Sequence, residues 1–154
     1  MKSYDIVALG GTFDIIHNGH IELLNKAFSI SHKTIIGLTS DELAIRKGKD
    51  LVKNYEHRLA SLKSVIEKNF PKSSYEVSKL ENDFGPAVIE GNVQALVVSK
   101  ETRNKGLLLN ELRAKRNLPS VEIVVIPMVL AEDGNPISTT RIKNSEIDNK
   151  GNLN

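Results

Sequence analysis

Two histidines, His17 and His20, stand three positions apart where a glycine-containing turn leads into a predicted helix. Imidazole groups at that spacing project from one face of the first helical turn, and each can donate a hydrogen bond. The start of a helix also offers unpaired N–H groups and the positive end of the helix dipole. Because all of these features favour an anion, the segment predicts a phosphate-binding site.

The histidines are expected to be positioned by a strand and a helix. Residues 6–9 form an apolar run typical of a buried strand, and residues 21–28 have the apolar spacing of an amphipathic helix. Gly10 and Gly11 lie in the turn between them, where the absence of a side chain lets a ligand approach the backbone. The predicted unit is therefore a strand, a glycine turn and a helix that begins at the phosphate.

A second candidate phosphate site lies near the C-terminus. Residues 135–142 have the sequence NPISTTRI, a turn followed by hydroxyl residues that open a helix. Ser138 or Thr139 can cap that helix by accepting a hydrogen bond from its free N–H groups. The same amides, together with Arg141, can hold phosphate oxygens. The two interpretations are compatible, since a capped helix end and an anion site use the same N–H groups.

A basic loop supplies further candidates. Arg46, Lys47 and Lys49 place three cations within four positions, shortly after an apolar run at 34–38 that predicts a strand. The ordinary interpretation of such a cluster is a solvated surface loop. However, ligands of open α/β sheets bind at the carboxyl ends of the strands, which is where this loop is expected.

The rest of the chain predicts the α/β class. Strands predicted at 75–80, 95–98 and 121–126 alternate with helices at 55–69 and 107–116, and a short helix is predicted to open at Pro86. This alternation favours one Rossmann-like domain, residues 1–146, built on a doubly wound parallel sheet of five strands. Residues 147–154 are rich in Asn, Asp, Lys and Gly, which predicts a disordered tail.

The composition excludes several classes of protein. The 154 residues contain no cysteine, which excludes disulfides, thiolate catalysis and cysteine-ligated zinc. A net charge of +2 and an aromatic content of 5% argue against nucleic acid as a partner. No apolar run is long enough to cross a membrane and no signal peptide precedes the first strand, so we expect no membrane partner and a cytoplasmic location.

These motifs resemble those of the nucleotidylyltransferase superfamily. The sequences GTFD at 11–14 and HNGH at 17–20 resemble its HxGH signature, and ISTTR at 137–141 is similar to its ISSTxxR motif. The two motifs occur in the expected order, about 120 residues apart. The resemblance implies the HxGH nucleotidylyltransferase fold and a reaction that joins a nucleoside monophosphate to a phosphorylated acceptor, with release of pyrophosphate.

Other segments distinguish members of the superfamily. ISTT at 137–140 and YEHR at 55–58 are similar to glycerol-phosphate and choline-phosphate cytidylyltransferases, but the RYVDE-like stretch of those enzymes is missing. LENDFGPA at 80–87, VVSKET at 97–102 and NELR at 110–113 resemble the archaeal and eukaryotic type of phosphopantetheine adenylyltransferase. The chain is therefore identified as a member of that family. A cytidylyltransferase that uses CTP and a small phosphorylated alcohol is the alternative.

The resemblance implies a transfer of AMP from ATP to 4′-phosphopantetheine, which gives dephospho-coenzyme A and pyrophosphate. The acceptor phosphate is already an anion at neutral pH, so the reaction needs positioning and charge neutralisation more than a protein nucleophile. Mg²⁺ is expected to arrive with ATP and to be held mainly by phosphate oxygens, without a protein metal site.

The resemblance also implies the roles of individual residues. His20 and His17 are expected to act on the nucleotide phosphates, and Lys47 on the acceptor phosphate, with Arg46 or Lys49 as alternatives for Lys47. Thr12, Lys47 and Ser99 are the expected acceptor-binding residues. The expected ATP-binding residues are Gly10, Gly11, Thr12, Phe13, His17, Gly19, His20, Lys100, Asn110, Ile137, Ser138, Thr139, Thr140 and Arg141.

Some of these polar residues have structural alternatives. Lys100 falls where bacterial relatives carry an arginine, and we expect it to supply that cation. Arg58 can cap a helix end, form a salt bridge or reach the substrate, and Asp14 can orient the histidines or cap a helix. For Asn110 and Arg113, a solvated helix face is the alternative to a ligand contact.

Overall fold

The computed structural model describes residues 2–85, 88–89, 91–127, 129–134, 137, 142 and 147–153. Within these ranges five strands and four helices have complete bounds. The strands are β1 (Tyr4–Gly11), β2 (Ser31–Thr39), β3 (Tyr75–Leu80), β4 (Ala95–Ser99) and β5 (Glu122–Ile126). The helices are α1 (Asn18–Ile30), α2 (Asp41–Arg46), α3 (Tyr55–Asn69) and α4 (Asn104–Ala114), with a 3₁₀ turn at Lys100–Thr102.

The five strands form one parallel sheet in the order β3-β2-β1-β4-β5. The predicted α/β fold with a five-stranded parallel sheet is therefore confirmed. The chain moves outward from β1 to β2 and β3, then crosses back to the other side of β1 for β4 and β5. This reversal creates a topological switch point between β1 and β4, where the connecting loops diverge and leave a crevice.

Helices cover both faces of the sheet, so the inner strands β1, β2 and β4 are buried on both sides, whereas the edge strands β3 and β5 are largely half-buried or exposed. Val7 and Leu9 of β1 belong to the core that α1 and α3 cover. Ala8 belongs to the opposite core, which includes Leu109 of α4. The alternation along β1 places neighbouring residues in different cores, as the period of a strand requires.

Helix periodicity determines which side chains face the sheet. In α1 the buried residues are Leu24, Ala27 and Phe28, at the spacing of one helical face. In α3 they are Leu62, Ile66 and also Arg58, one turn before Leu62. The hydrophobic stripe of α3 thus carries a guanidinium group into the interior.

Arg113 of α4 is a second buried arginine, with 3% of its surface exposed. Its guanidinium donates to the carbonyl oxygens of Pro119 at 2.9 Å, Val88 at 2.9 Å and Gly91 at 3.0 Å. The alternative interpretation of Arg113 as part of a solvated helix face is therefore wrong. Its side chain is buried because the neighbouring loops present carbonyl groups that need donors.

The chain after residue 146 differs from the sequence prediction. Instead of a disordered tail, residues 147–153 form a loop that packs on the domain, with Ile147 only 1% exposed against Ala131 and Ile137. An antiparallel bridge joins Ile147 to Leu153. The polar composition that predicted disorder is used in a tight turn around Asp148, whose carboxylate accepts backbone N–H groups.

Two further predictions concern the short helix that was expected to open at Pro86 and the absence of a membrane-spanning segment. Val88 and Ile89 are helical, whereas Pro86, which was expected to open that helix, lies outside the described residues. No helix in the described part of the chain is long and apolar enough to cross a membrane.

Candidate phosphate-binding site

A cleft of about 420 Å³ opens at the carboxyl ends of β1 and β4, at the topological switch point. Its lining includes Gly10 and Gly11, both histidines and Ile137. The two glycines were predicted to lie in the turn after the strand, but they are the last two residues of β1 and pair with Gly37 and Leu38 of β2. The volume is in the range of small-molecule sites. The sheet topology therefore brings the histidine segment and Ile137, a residue of the second predicted phosphate segment, to one cavity.

The two histidines cap α1 reciprocally. The N–H of Gly19 donates to Nδ1 of His17 at 3.0 Å, and the N–H of His17 donates to Nδ1 of His20 at 3.1 Å. The two rings stack with their centroids 4.0 Å apart. Because Nδ1 of each ring accepts a hydrogen bond, the neutral form of each ring carries its proton on Nε2. The capping therefore defines the tautomer as well as the orientation.

Both histidines are neutral at physiological pH. Burial lowers the pKa of His17 to about 4. Burial, with a smaller contribution from the neighbouring His17, lowers the pKa of His20 to about 3. The rings therefore offer N–H donors rather than full positive charges to a phosphate. The cationic charge of the site has to come from other side chains.

The glycine between the histidines makes this arrangement possible. A Cβ atom on Gly19 would lie 2.7 Å from Cε1 and 2.9 Å from Nδ1 of His17. Any larger residue would displace the capping ring. On the other side, the buried ring of Phe13 packs against His20 with centroids 4.8 Å apart. The spacing of the HNGH segment thus reflects steric fit around the histidine pair.

Arg58 supports the turn from below. Its side chain is fully buried, and Nη1 donates to the carbonyl oxygens of Thr12 at 2.9 Å and Thr39 at 2.7 Å. Nε donates to the carbonyl of Lys53 at 3.1 Å, and Nη2 forms an ion pair with Asp41. Of the three roles left open for Arg58, the structure shows the salt bridge, together with hydrogen bonds to two loops and to the end of β2. Its donors are engaged by the protein rather than directed at a substrate.

Asp14 ties the loop before α3 to the same turn. Its buried carboxylate accepts hydrogen bonds from the N–H groups of Val52 at 2.7 Å and Lys53 at 2.8 Å. Its observed bonds therefore hold the backbone of a neighbouring loop. The turn that carries the histidines is braced by both Arg58 and Asp14.

Three lysines line the cleft from the other side. Lys47 and Lys49 follow α2, and Lys105 lies in the first turn of α4. Lys47 forms an ion pair with Asp83. Partial burial, together with the positive charges of Lys47 and Lys49, lowers the pKa of Lys105. Three ammonium groups against the two carboxylates in the lining, Asp83 and Glu101, leave this side net positive.

The structure distinguishes the three cations of the basic loop that were candidates for the acceptor phosphate. Arg46 donates to the carbonyl oxygen of Glu81 at 2.5 Å and is not part of the cleft lining, whereas Lys47 and Lys49 are. Lys105 lines the cleft but was not among the residues predicted from the sequence. Its position just after β4 was the available signal, because Lys47 occupies the equivalent edge of the sheet after β2.

Several predicted ligands lie outside the cleft lining. Lys100 is exposed and is not among the lining residues. The side-chain amide of Asn110 donates to the carbonyl of Val121 at 3.1 Å and accepts from its N–H at 2.7 Å, so both ends are engaged in holding the backbone. The side chain of Phe13 is buried, and neither it nor Thr12 lines the cleft.

The remaining predicted residues divide into two groups. Gly10, Gly11, Gly19, Ser99 and Ile137 line the cleft with the histidines. Ser99 Oγ also shares a hydrogen bond of 3.1 Å with Thr102 Oγ1. Ser138, Thr139, Thr140 and Arg141 lie outside the described residues, so their roles stay predictions.

Comparisons with solved structures agree with the fold. A protein of unknown function from Archaeoglobus fulgidus is 29% identical, with a TM-score of 0.72 over 79% of this chain and 88% of that one. A lipopolysaccharide core biosynthesis protein from Thermoplasma volcanium is 24% identical, with a TM-score of 0.64 over 79% of this chain and 95% of that one. The second likeness shows the fold alone.

Comparisons of sequence are more specific. Residues 8–145 match the family described as cytidylyltransferase-like. The phosphopantetheine adenylyltransferase of Methanosarcina acetivorans is 44% identical over 96% of this chain and 94% of the relative. The enzyme of the same name from Methanothermobacter thermautotrophicus is 38% identical over 99% of this chain and 91% of the relative. The chain therefore belongs to the phosphopantetheine adenylyltransferase family, within the cytidylyltransferase-like group.

Proposed function

We propose that this protein transfers AMP from ATP to 4′-phosphopantetheine, which produces 3′-dephospho-coenzyme A and pyrophosphate. The observation that carries the proposal is the pair of neutral imidazoles that cap α1 in the same cleft as three lysines. The names of the relatives, at 38–44% identity over nearly the whole chain, support the choice of acceptor and nucleotide.

The chemistry requires one bond to form and one to break. A phosphate oxygen of the acceptor attacks the α-phosphorus of ATP, and the bond between that phosphorus and the bridging oxygen to the β-phosphate breaks. The electron pair leaves with pyrophosphate. The acceptor phosphate is already ionised at neutral pH, so no protein base or covalent intermediate is needed.

The protein contributes donors where negative charge accumulates. In this proposal His20 donates its Nε2 proton in a hydrogen bond to an α-phosphate oxygen, and His17 acts beside it on the nucleotide phosphates. Neutral imidazoles held by backbone bonds are pre-organised for this role, because they need no reorganisation as the charge develops. Lys47 and Lys49 neutralise the acceptor phosphate from the opposite side of the cleft.

We propose that Mg²⁺ enters with ATP. The residues fit this arrangement, because the cleft offers imidazoles and ammonium groups, and one of its two carboxylates, Asp83, is already paired with Lys47. No cluster of three or more metal-ligating side chains occurs in the portion of the chain that is described. The triphosphate oxygens would hold the ion, which would neutralise charge on the departing pyrophosphate.

The apolar part of the cleft favours an acceptor with a long organic arm. Phe84, which is half-buried, lines the cleft beside the lysine side, next to the buried side chains of Leu43 and Leu80. A pantetheine chain would cover the exposed part of Phe84 and exclude water from it, whereas glycerol phosphate is too short and polar to do so. This difference supports phosphopantetheine over the small phosphorylated alcohols of the cytidylyltransferases. The use of ATP also fits the predicted cytoplasmic location.

The test is pyrophosphate release by the purified protein with Mg²⁺. ATP with 4′-phosphopantetheine is compared with CTP plus glycerol 3-phosphate and with CTP plus phosphocholine. The His20→Ala variant tests the site, and His32→Ala is its matched control because His32 is an exposed residue near the start of β2.

We expect turnover with the first pair alone, loss of that turnover in H20A and normal turnover in H32A. Turnover with CTP would transfer the proposal to the cytidylyltransferase alternative. Activity with ATP that survives in H20A would contradict the assigned site, and inactivity with every pair would contradict the proposed reaction.

A further inference from the structure

The C-terminal loop, defined as residues 147–153, packs beside the cleft. Ile147 is 1% exposed and forms a small cluster with Ala131 and Ile137. The bridge between Ile147 and Leu153 closes the loop on itself. Ile137 is itself part of the cleft lining, so the loop is in contact with the back of that wall.

The loop has its own hydrogen-bonded framework. Asp148 Oδ1 accepts from the N–H groups of Lys150 at 2.9 Å and Asn152 at 2.8 Å, and the N–H of Gly151 donates to the Asp148 carbonyl at 3.1 Å. Gly151 has a φ of +88°, a conformation that favours glycine. These bonds allow the loop to act as one unit on the elements that it touches.

The first of those elements is the cleft wall around Ile137. The carbonyl of Gly151 accepts a hydrogen bond from the N–H of Glu132 at 2.7 Å. A Cβ on Gly151 would lie 2.7 Å from Cδ1 of Ile137 and 3.0 Å from Cα of Ala131. The backbone of the loop is therefore in direct steric contact with a residue that lines the cleft.

The second element is the start of α1. The N–H of Asn18 donates to the carbonyl of Asn149 at 3.1 Å. Asn18 is the first residue of α1 and stands between His17 and Gly19. Its N–H is one of the donors that a helix leaves free at its N-terminus, and here the loop satisfies it.

We propose that the C-terminal loop is a positioning element that holds the histidine end of α1 and the Ile137 wall at the separation needed to bind ATP. The inference rests on the proposed function for the identity of the nucleotide. It deepens that function, because it assigns a role in nucleotide binding to a segment that carries none of the motif residues.

The test compares two glycines with left-handed backbones in the full-length protein. In Gly151→Ala, the new methyl group meets Ile137 and Ala131, whereas in Gly134→Ala, at a φ of +82°, it meets nothing within 4 Å. Both variants pay a similar backbone penalty, so only G151A also separates the loop from the wall. The readouts are the dissociation constant for Mg²⁺-ATP by calorimetry and the hydrogen-exchange rate of the Asn18 amide.

We expect G151A to weaken ATP binding by about tenfold relative to G134A. The reason is that the start of α1 and the wall that contains Ile137 are no longer held at a defined separation. Exchange at the Asn18 amide should accelerate in G151A and remain slow in G134A. Equal ATP affinity in the two variants, with equal protection of Asn18, would overturn the inference.

A second variant keeps the test decisive if G151A does not fold. Glu132→Ala removes the carboxylate that accepts from the N–H of Leu153 at 2.7 Å, at an exposed position. We expect faster exchange at Asn18 and weaker ATP binding in E132A, and unchanged values would overturn the inference. If the unaltered protein fails to bind ATP, the proposed function fails, while the exchange rate of Asn18 still decides whether the loop holds α1.

Discussion

The guanidinium of Arg58 donates from Nη2 to Oδ1 of Asp41 at 2.8 Å, although the arginine side chain is fully buried and the aspartate is partly exposed. Asp41 begins α2, the helix that leads to Lys47. The same guanidinium holds the carbonyl of Thr12 in the histidine turn. The pair therefore connects the two sides of the cleft through the interior of the protein.

Replacement of Arg58 should strongly reduce stability. In Arg58→Met, the carbonyls of Thr12 and Thr39 lose their buried donor, so we expect the free energy of unfolding to fall by about 3–5 kcal/mol. Urea denaturation measures this change. Arg103→Met is the matched control at an exposed position, where we expect a change within about 0.5 kcal/mol. Similar stability of R58M and R103M would show that the buried network has no net effect.

The lowered histidine pKa values predict a loss of stability in acid. An ordinary histidine, and hence the unfolded chain, has a pKa of 6.5, whereas the folded values are about 4 for His17 and about 3 for His20. As the pH falls below 6.5, these histidines bind protons in the unfolded chain but stay unprotonated in the folded protein. The free energy of unfolding therefore declines until the pH reaches the pKa of the folded state. Each histidine contributes a slope of up to about 1.4 kcal/mol per pH unit.

Urea denaturation between pH 7.5 and pH 4.5 checks that slope. The double variant His17→Gln and His20→Gln should have a shallower dependence, because two of the linked groups are removed. A steeper or unchanged acid slope in the double variant would contradict the assignment. Over the same range the histidines stay largely neutral, so their protonation should not by itself reduce ATP binding above about pH 5.

Gly19 is predicted to be essential for activity, because a side chain at this position would collide with the ring of His17. In Gly19→Ala, the new Cβ would lie 2.7 Å from Cε1 of His17 and would push the ring out of its capping position. We expect kcat to fall by about a hundredfold, since small displacements of positioned groups have effects of that size. Steady-state kinetics measures the change, and Asn25→Ala, at an exposed position of the same helix, is the control. Full activity in G19A would show that the ring tolerates displacement.

Lys105 should be more important for substrate binding than Lys100. Both lysines are exposed, but Lys105 lines the cleft near Lys47 and Lys49, whereas Lys100 lies outside the lining. In Lys105→Ala we expect a substrate KM raised by roughly tenfold, the effect of losing one charge-assisted contact with phosphate. Initial-rate kinetics with each substrate varied in turn identifies the affected phosphate. A larger effect in Lys100→Ala than in K105A would restore the original sequence prediction.

The sequence by itself determined the features that depend on local pattern. The apolar run at 6–9 and the spacing at 21–28 indicated β1 and α1, because side-chain periodicity distinguishes strands from helices over short stretches. The histidine pair predicted an anion site at the start of α1, and that site stays a prediction, whereas the structure shows that the same pair caps the helix. The motifs also indicated the family, which the relatives confirm.

Only the tertiary structure decided which polar side chains face the cleft and which support it. Arg58 bonds to carbonyls 46 and 19 residues away, so its burial depends on how α3 packs on the sheet and not on its neighbours in sequence. Lys105 and Lys100 are alike in charge and nearly adjacent, and only the turn from β4 into α4 separates them. The loop at 147–153 is polar enough to suggest disorder, but contacts with Ala131, Ile137 and Asn18 hold it in place. Local composition cannot reveal such contacts, because their partners come together only when the chain has folded.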